Sequence, residues 1–386
     1  MSRRENIVSA IYIDSAEAAS YNVIVPKRPS EKERCGVPKT MPAVVKVGKG
    51  VGLVELQQKP IPEPGPGEVQ IRVRSVSVCG SDIHIYHDNH PYRPPMIIGH
   101  EFSGEIAALG KGVTGWQEGD RVVSETRTHT CGRCIPCRTG YPQCCKEKRP
   151  PGIGRDGAYA PFVVMPETLL HRMPEGVDFD TAALVEPAAV VMHAVAERVG
   201  VDAGDKVLIT GPGPIGLLSL MVAKASGAAY VAVSGTKRSR ELKLKKALEI
   251  GADEVLVSGE DDIPARMQAQ NNGQGVDVAV EAAGSPPAVV DCFRSVRRLG
   301  RIGILAITGK GEVTVPWDEM IFKAARLTFC FSSSWTGWER VLALLAKGEL
   351  PLASIITHRL PLEKWQEGFE AIENGEAIKV VMHPGE

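Results

Sequence analysis

Four cysteines in one short stretch, Cys131-x2-Cys134-x2-Cys137-x7-Cys145, carry the sharpest chemical signal in the sequence. Spacings this short let one small loop wrap four thiolates around a tetrahedral zinc ion. Four protein ligands leave no coordination position open, so the pattern predicts a structural metal lobe and not a catalytic one. Cys144 stands beside Cys145 and is an alternative fourth ligand. Five of the nine cysteines crowd into 15 positions, whereas a disulfide framework is spread more evenly and follows a secretory leader. Residues 1–40 contain no continuous apolar leader core. A reducing, cytoplasmic setting is therefore expected.

A second cluster lies upstream, in Cys79-Gly80-Ser81-Asp82-Ile83-His84 and Gly99-His100-Glu101. A thiolate, an imidazole and a carboxylate, from Cys79, His100 and Glu101, would leave one position of a zinc ion free for a reacting group. Two zinc ions per chain are expected on this reading. A third pattern is Gly211-Pro212-Gly213-Pro214-Ile215-Gly216, a G-x-G-x-x-G between an apolar strand at 206–210 and an apolar helix at 215–225. Glycines there permit a tight turn and let a dinucleotide pyrophosphate approach the N–H groups at the start of the helix.

The end of the following strand bears on the choice of dinucleotide. A site for NAD usually offers an acidic residue there to bind the ribose 2′-hydroxyl. This chain reads Val233-Ser234-Gly235-Thr236-Lys237-Arg238-Ser239-Arg240, with no carboxylate before Glu241. Ser234, Thr236, Lys237 and Arg238 are the expected contacts, and the cations suit a 2′-phosphate. NADP is favoured, with NAD the alternative.

These residues need two kinds of scaffold. From 41 to about 181 the chain shows short β-rich runs, at 43–47, 69–76 and 121–123, broken by Pro and Gly. After Glu186 the rhythm becomes strand, turn, helix, with strands expected at 206–210, 230–233, 254–257, 276–280 and 301–305 and a late helix at 338–347. Alternation of that sort implies a parallel, doubly wound α/β sheet. Residues 26–39 are rich in Pro, Lys, Arg and Glu, so residues 1–40 are expected to form a flexible extension.

Composition excludes other classes. Lys+Arg number 45 against 46 Asp+Glu, a net charge of −1 that offers nothing for nucleic acid to bind. The longest apolar run, around 215–223, falls far short of the ~20 residues that cross a bilayer.

Together the motifs resemble the zinc-dependent medium-chain alcohol dehydrogenase family, over about residue 41 to the C-terminus. The likeness is strongest to its sorbitol (L-iditol 2-) dehydrogenase and threonine dehydrogenase branch. It is carried by Cys79–Tyr86, Gly99-His100-Glu101, the four-cysteine lobe, Gly211–Gly216, Leu184-Val185-Glu186-Pro187 and Ile356-Thr357-His358-Arg359. The resemblance implies an α/β fold in which a GroES-like, mostly-β catalytic domain in two pieces (41–187 and 331–386) carries an inserted Rossmann domain (188–330). It implies that Cys145, not Cys144, completes the lobe, and that Cys79, His100 and Glu101 hold catalytic zinc with Glu186 binding the ion or its water. It implies that Asp82 orients His100 and that Ser81 and His84 pass the substrate proton outward. Relatives are dimers or tetramers, so a homotetramer or homodimer is expected.

The resemblance also implies hydride transfer between a small secondary alcohol and the nicotinamide. Sorbitol dehydrogenases commonly carry F-R-Y-x-N-T-W where this chain has Phe329-Cys330-Phe331-Ser332-Ser333-Ser334-Trp335, whereas Glu186-Pro187 follows the polyol branch. A polyol-like substrate is expected. The alternatives are oxidation of an amino alcohol, as in threonine dehydrogenases, and a zinc-retaining protein that binds nucleotide without catalysis. A zinc-free reductase on this fold would have no use for Cys79, His100, Glu101 and Glu186.

Overall fold

The computed structural model describes Thr40–Gly385; the extension expected over residues 1–40 falls almost entirely outside the described residues. The β-rich half begins with β1 (Thr40–Lys46), β2 (Val54–Pro60), β3 (Glu68–Ser77), β4 (Met96–Ile97), β5 (Glu101–Leu109), β6 (Arg121–Ser124), β7 (Phe162–Pro166) and β8 (Leu170–Arg172). Strand β3 alternates buried Val69, Ile71 and Val73 with outward polar residues, the period of a half-buried strand. It pairs antiparallel with both β5 and β7.

The second half is the parallel sheet. Its strands are β9 (Lys206–Thr210), β10 (Tyr230–Gly235), β11 (Glu254–Val257), β12 (Val276–Glu281), β13 (Val296–Ile304) and β14 (Arg326–Phe329). They lie in the order β11-β10-β9-β12-β13-β14, with every neighbouring pair parallel. Counted within the sheet this is the 3-2-1-4-5-6 order of a doubly wound dinucleotide-binding fold. The expected strands are present. The sequence reading missed β14, and β13 begins five residues earlier than expected and stops at Ile304. Strand β14 is four residues long and mostly exposed, so it lacks the apolar run that marks a central strand.

The chain then returns to the first sheet. Strands β15 (Ile356–Pro361) and β16 (Lys379–His383) are parallel, and β16 pairs antiparallel with β3 through Val381–Ser77 and Met382–Val76. The seven-stranded sheet thus runs β15-β16-β3-β5-β6-β8 with β7 on β3, while β2-β1-β4 form a separate three-stranded sheet. This return puts Lys379 beside residues some 280 to 300 positions earlier in the chain.

Helix Trp335–Ala346 ties the halves together. Its Trp338, Val341, Leu342 and Leu345 share a core with Val123 and Met173 from the β-rich half and Val207 and Leu217 from the parallel sheet. It also packs on helix Val185–Val191, which carries Glu186. Trp338 is 1% exposed, stacks on His171 at 5.3 Å and donates its indole N–H to Ser333 Oγ at 3.0 Å. Trp338→Ala leaves a cavity at this junction and should cost about 3–5 kcal/mol. Urea denaturation should show a lower midpoint, and an unchanged midpoint would mean that the junction does not hold the fold.

Candidate active site

Cys79, His100 and Glu101 come from the ends of different elements. Cys79 caps the short helix Gly80–Tyr86, and Glu101 opens β5 directly after His100. Their ligand atoms lie within 4.8 Å of one another, a spacing that one ion can bridge. A soft thiolate, a borderline imidazole and a carboxylate form a donor set that suits zinc.

The imidazole is fixed by its neighbours. His100 Nδ1 faces Asp82 Oδ1 at 3.5 Å, and neither atom has another partner among the described residues. His100 Nε2 lies 3.4 Å from Ser81 Oγ, on the side of the ring left for a ligand or substrate. Asp82 is fully buried; its Oδ2 accepts from the Cys79 N–H and the Tyr159 hydroxyl, both at 3.0 Å. Burial alone would raise the Asp82 pKa, but the His100 charge and these donors hold it below the ordinary carboxylate value. Burial opposes protonation of His100, yet the neighbouring Asp82 and Cys79 charges push its pKa well above the usual value.

Glu101 has a partner that the sequence reading missed. Its Oε2 accepts from Ser77 Oγ and from Lys379 Nζ, the latter at 2.5 Å, and Lys379 also donates to the Val78 carbonyl at 2.9 Å. Burial would lower the Lys379 pKa, but the Glu101 and Cys79 charges raise it above normal. The available signal was a lysine set between Ile378 and the apolar run Val380-Val381-Met382. Glu186 is buried outside the three-residue group but within charge range of His100 and Glu101. His84 sits one turn after Ser81 on the same helix and is exposed, with no bond to Ser81 among the described residues.

The four-cysteine lobe is assembled. The sulfurs of Cys131, Cys134, Cys137 and Cys145 lie within 4.8 Å of one another, and none of these cysteines is in a disulfide. Cys131 Sγ is 3.6 Å from Cys145 Sγ and 4.0 Å from Cys137 Sγ, close to the ~3.8 Å edge of a tetrahedron with 2.3 Å zinc–sulfur bonds. N–H donors from Arg133 and Cys134 draw the Cys131 thiol down to about 6. Cys144 is exposed and stays outside the group.

The glycine motif faces a groove of ≈ 290 Å³ lined by Gly211, Gly213, Ser234, Thr236, Ser239, Ser258, Lys243 and Asp291, among others. Pro214 opens helix Pro214–Ala225, followed by Ile215 and Gly216. A Cβ on Gly216 would lie 1.7 Å from the Gly211 carbonyl oxygen, so only glycine closes this turn. Buried Glu281, also missed from sequence, accepts from the N–H groups of Ala283 (2.9 Å) and Gly284 (2.8 Å), fastening the turn that abuts Gly211. Lys237 and Arg238 do not line this groove. Lys237 is exposed near Glu260, and Arg238 donates to the Glu373 carbonyl at 2.9 Å. Lys243, on the π-helical turn Arg240–Leu244, is the cation that does.

Comparison with known proteins agrees with this geometry. Residues 65–175 match the alcohol dehydrogenase GroES-like domain, and residues 214–347 match the zinc-binding dehydrogenase domain. The chain is 38% identical over 344 residues to a sorbitol dehydrogenase of Halalkalibacterium halodurans, covering 89% of this chain and 99% of the relative. The chain belongs to the zinc-dependent medium-chain alcohol dehydrogenase family. It is a dehydrogenase that uses a nicotinamide cofactor. It is also 37% identical over 348 residues to an L-threonine 3-dehydrogenase of Pyrococcus horikoshii, covering 88% of this chain and 98% of that one. A crystal structure described as a zinc-binding dehydrogenase from Sinorhizobium meliloti 1021, bound to NADP, superposes with a TM-score of 0.83 at 30% identity, over 89% of this chain and 99% of that one. No helix among the described residues of this dehydrogenase is long and apolar enough to cross a membrane.

Burial pushes the Glu186 carboxyl of this dehydrogenase up to about 7, against the attraction of His100. Without metal, the folded chain keeps a proton on Glu186 that the unfolded chain releases near 4.5. Its contribution to stability is full below pH 4.5 and is lost as pH rises through 7, a change of about 3 kcal/mol. In chelated protein, Glu186→Gln should remove that part of the slope. Urea midpoints of the variant and the parent, compared at pH 5 and pH 8, should diverge in favour of the variant at pH 8. Parallel pH profiles would contradict the assignment.

Proposed function

We propose that this dehydrogenase oxidises a small secondary alcohol of the polyol type to its ketone, with NADP preferred over NAD. The observation that carries this reading is the convergence of Cys79, His100 and Glu101, with Glu186 buried in charge range, in a member of a zinc-dependent family. Zinc bound by these residues supplies Lewis acidity to the substrate hydroxyl. Glu186 completes the set, binding the ion or its water.

The chain's own residues do the rest. Asp82 holds His100 with Nδ1 inward, so that Nε2 serves the metal side. Ser81 would take the substrate proton, and exposed His84, one turn further along the same helix, would be the last group to hold it before solvent. Lys379 balances part of the charge of Glu101 and fixes its carboxylate. Cys131, Cys134, Cys137 and Cys145 hold a second, structural zinc ion.

NADP is preferred because β10 ends in Ser234 and Gly235, without a carboxylate, and the groove beyond it is lined by the hydroxyls of Thr236, Ser239 and Ser258 and by Lys243, as well as by Asp291. Lys243 has no carboxylate within ion-pair distance among the described residues, so its charge is available to a 2′-phosphate. Lys237 and Arg238, at the same strand end, add to the local positive field. The scaffold divides into catalytic segments 41–187 and 331–386 around a dinucleotide-binding segment 188–330. A homodimer, or a homotetramer containing it, forms through β14, an exposed sheet edge where Phe329 and nearby Phe322 and Trp317 are each more than 60% exposed. A second reading, oxidation of an amino alcohol, is favoured by the similarity to threonine dehydrogenases.

Elemental analysis should find two zinc ions per chain, falling to one in Cys79→Ser with loss of at least 10³-fold in kcat/KM. Initial rates on polyols, simple secondary alcohols and threonine, with each cofactor, should favour NADP and polyols. Lys243→Met should lower the NADP-to-NAD ratio of kcat/KM about tenfold or more. Preference for NAD in the parent would overturn the 2′-phosphate reading, and turnover of threonine alone would favour the amino-alcohol reading. Light scattering should give a multiple of the monomer mass, reduced by Phe329→Asp.

A further inference from the structure

One half-buried cation near the catalytic cluster has no role in the chemistry above. Lys148 follows the last lobe cysteine by three residues. Its ammonium lies 3.3 Å from Ser332 Oγ and 4.7 Å from the centre of the Phe331 ring. Both contacts come from the segment just beyond β14, where Ser332 holds a left-handed φ of 62°. A non-glycine residue in that region is strained and persists only where its surroundings require it.

The charge on Lys148 is not balanced locally. Among the described residues no carboxylate lies within 4.0 Å of it, whereas Lys224, Arg301 and Lys379 each have one. Burial lowers its pKa, while Glu186, Cys144 and the lobe cysteine Cys145 act to raise it. The influence on Glu186 is reciprocal, so the two groups lie within charge range of each other. Neither Cys330 nor Phe331 offers a charge of its own. A desolvated ammonium with only a hydroxyl and a ring face for company is costly unless an anion joins it. Such a group beside a reaction centre is suited to recognising a charged ligand.

We propose that Lys148 is a specificity-determining residue whose ammonium binds an anionic group, a carboxylate or a phosphate, carried by the alcohol substrate. The proposal rests on the alcohol-oxidation reading and narrows it from neutral polyols to polyhydroxy acids or polyol phosphates. The four-cysteine lobe then serves recognition as well as stability, because it anchors the segment that presents Lys148.

The test compares a neutral pentitol with the matching aldonate and the matching polyol phosphate, using full-length, zinc-loaded enzyme with its preferred cofactor. In the parent, kcat/KM for at least one anionic alcohol should exceed that for the neutral one by tenfold or more. Whichever anion shows the preference identifies the source of the charge. Lys148→Met should reduce the ratio of anionic to neutral kcat/KM at least tenfold, chiefly through KM, and Lys148→Arg should restore most of it. A parent that prefers the neutral alcohol, or a ratio unmoved in Lys148→Met, would overturn the proposal. So would loss of one zinc ion per chain in Lys148→Met, which would assign the residue to the lobe alone. Calorimetric titration of the aldonate and the phosphate into enzyme and cofactor reads the contact without turnover. Binding weakened tenfold in Lys148→Met supports the contact even if no alcohol is oxidised, in which case the failure belongs to the alcohol-oxidation reading. Equal binding by parent and variant overturns it.

Discussion

Negative charge concentrated in a dry place is the constraint on which the rest of this structure depends. Cys79, Asp82, Glu101 and Glu186 stand close together, and the three acids are buried. Without countercharge such a group would protonate or unfold the site, because desolvation penalises each anion. The chain supplies countercharge from distant places. His100 serves Asp82 from the next element, and Lys379 serves Glu101 from the last strand. Glu186 is in ion-pair contact with neither, and burial pushes its pKa up to about 7 against the attraction of His100 and Lys379.

Meeting that constraint explains the topology. Lys379 reaches Glu101 because β16 pairs with β3, so the C-terminal segment must return to the first sheet after the parallel sheet is complete. Glu186 reaches the cluster on the helix Val185–Val191, which is clamped by helix Trp335–Ala346 and its buried Trp338. The junction between the two halves is therefore also a wall of the catalytic centre. The nucleotide groove is built by a similar economy of contacts: Gly216 against Gly211, and Glu281 fastening the turn that abuts it.

Much of this was legible in the sequence, for identifiable reasons. The four-cysteine lobe is local, 15 residues in which spacing alone brings sulfurs to tetrahedral separation. The glycine motif is local too, and its flanking strand and helix follow from apolar periodicity. What escaped was either non-local or locally disguised. Lys379 and Glu281 read as a stray cation and a stray acid in apolar strands, since their partners lie about 280 residues away or on backbone N–H groups. Lys237 and Arg238 have the right chemistry at the right strand end, but Lys243, on the turn after them, lines the groove instead.

The sequence by itself determined the donor types, the lobe, the parallel sheet and the phosphate turn, because each is encoded within a few turns of chain where bonded geometry limits the outcomes. Only the tertiary structure decided which charges meet. It chose Cys145 over Cys144 for the lobe, Lys379 for Glu101, and Lys148 for the flank of Glu186. The physical reason is that an ion pair or a desolvated charge depends on distance and dielectric in the folded state, and neither quantity is written in residue order.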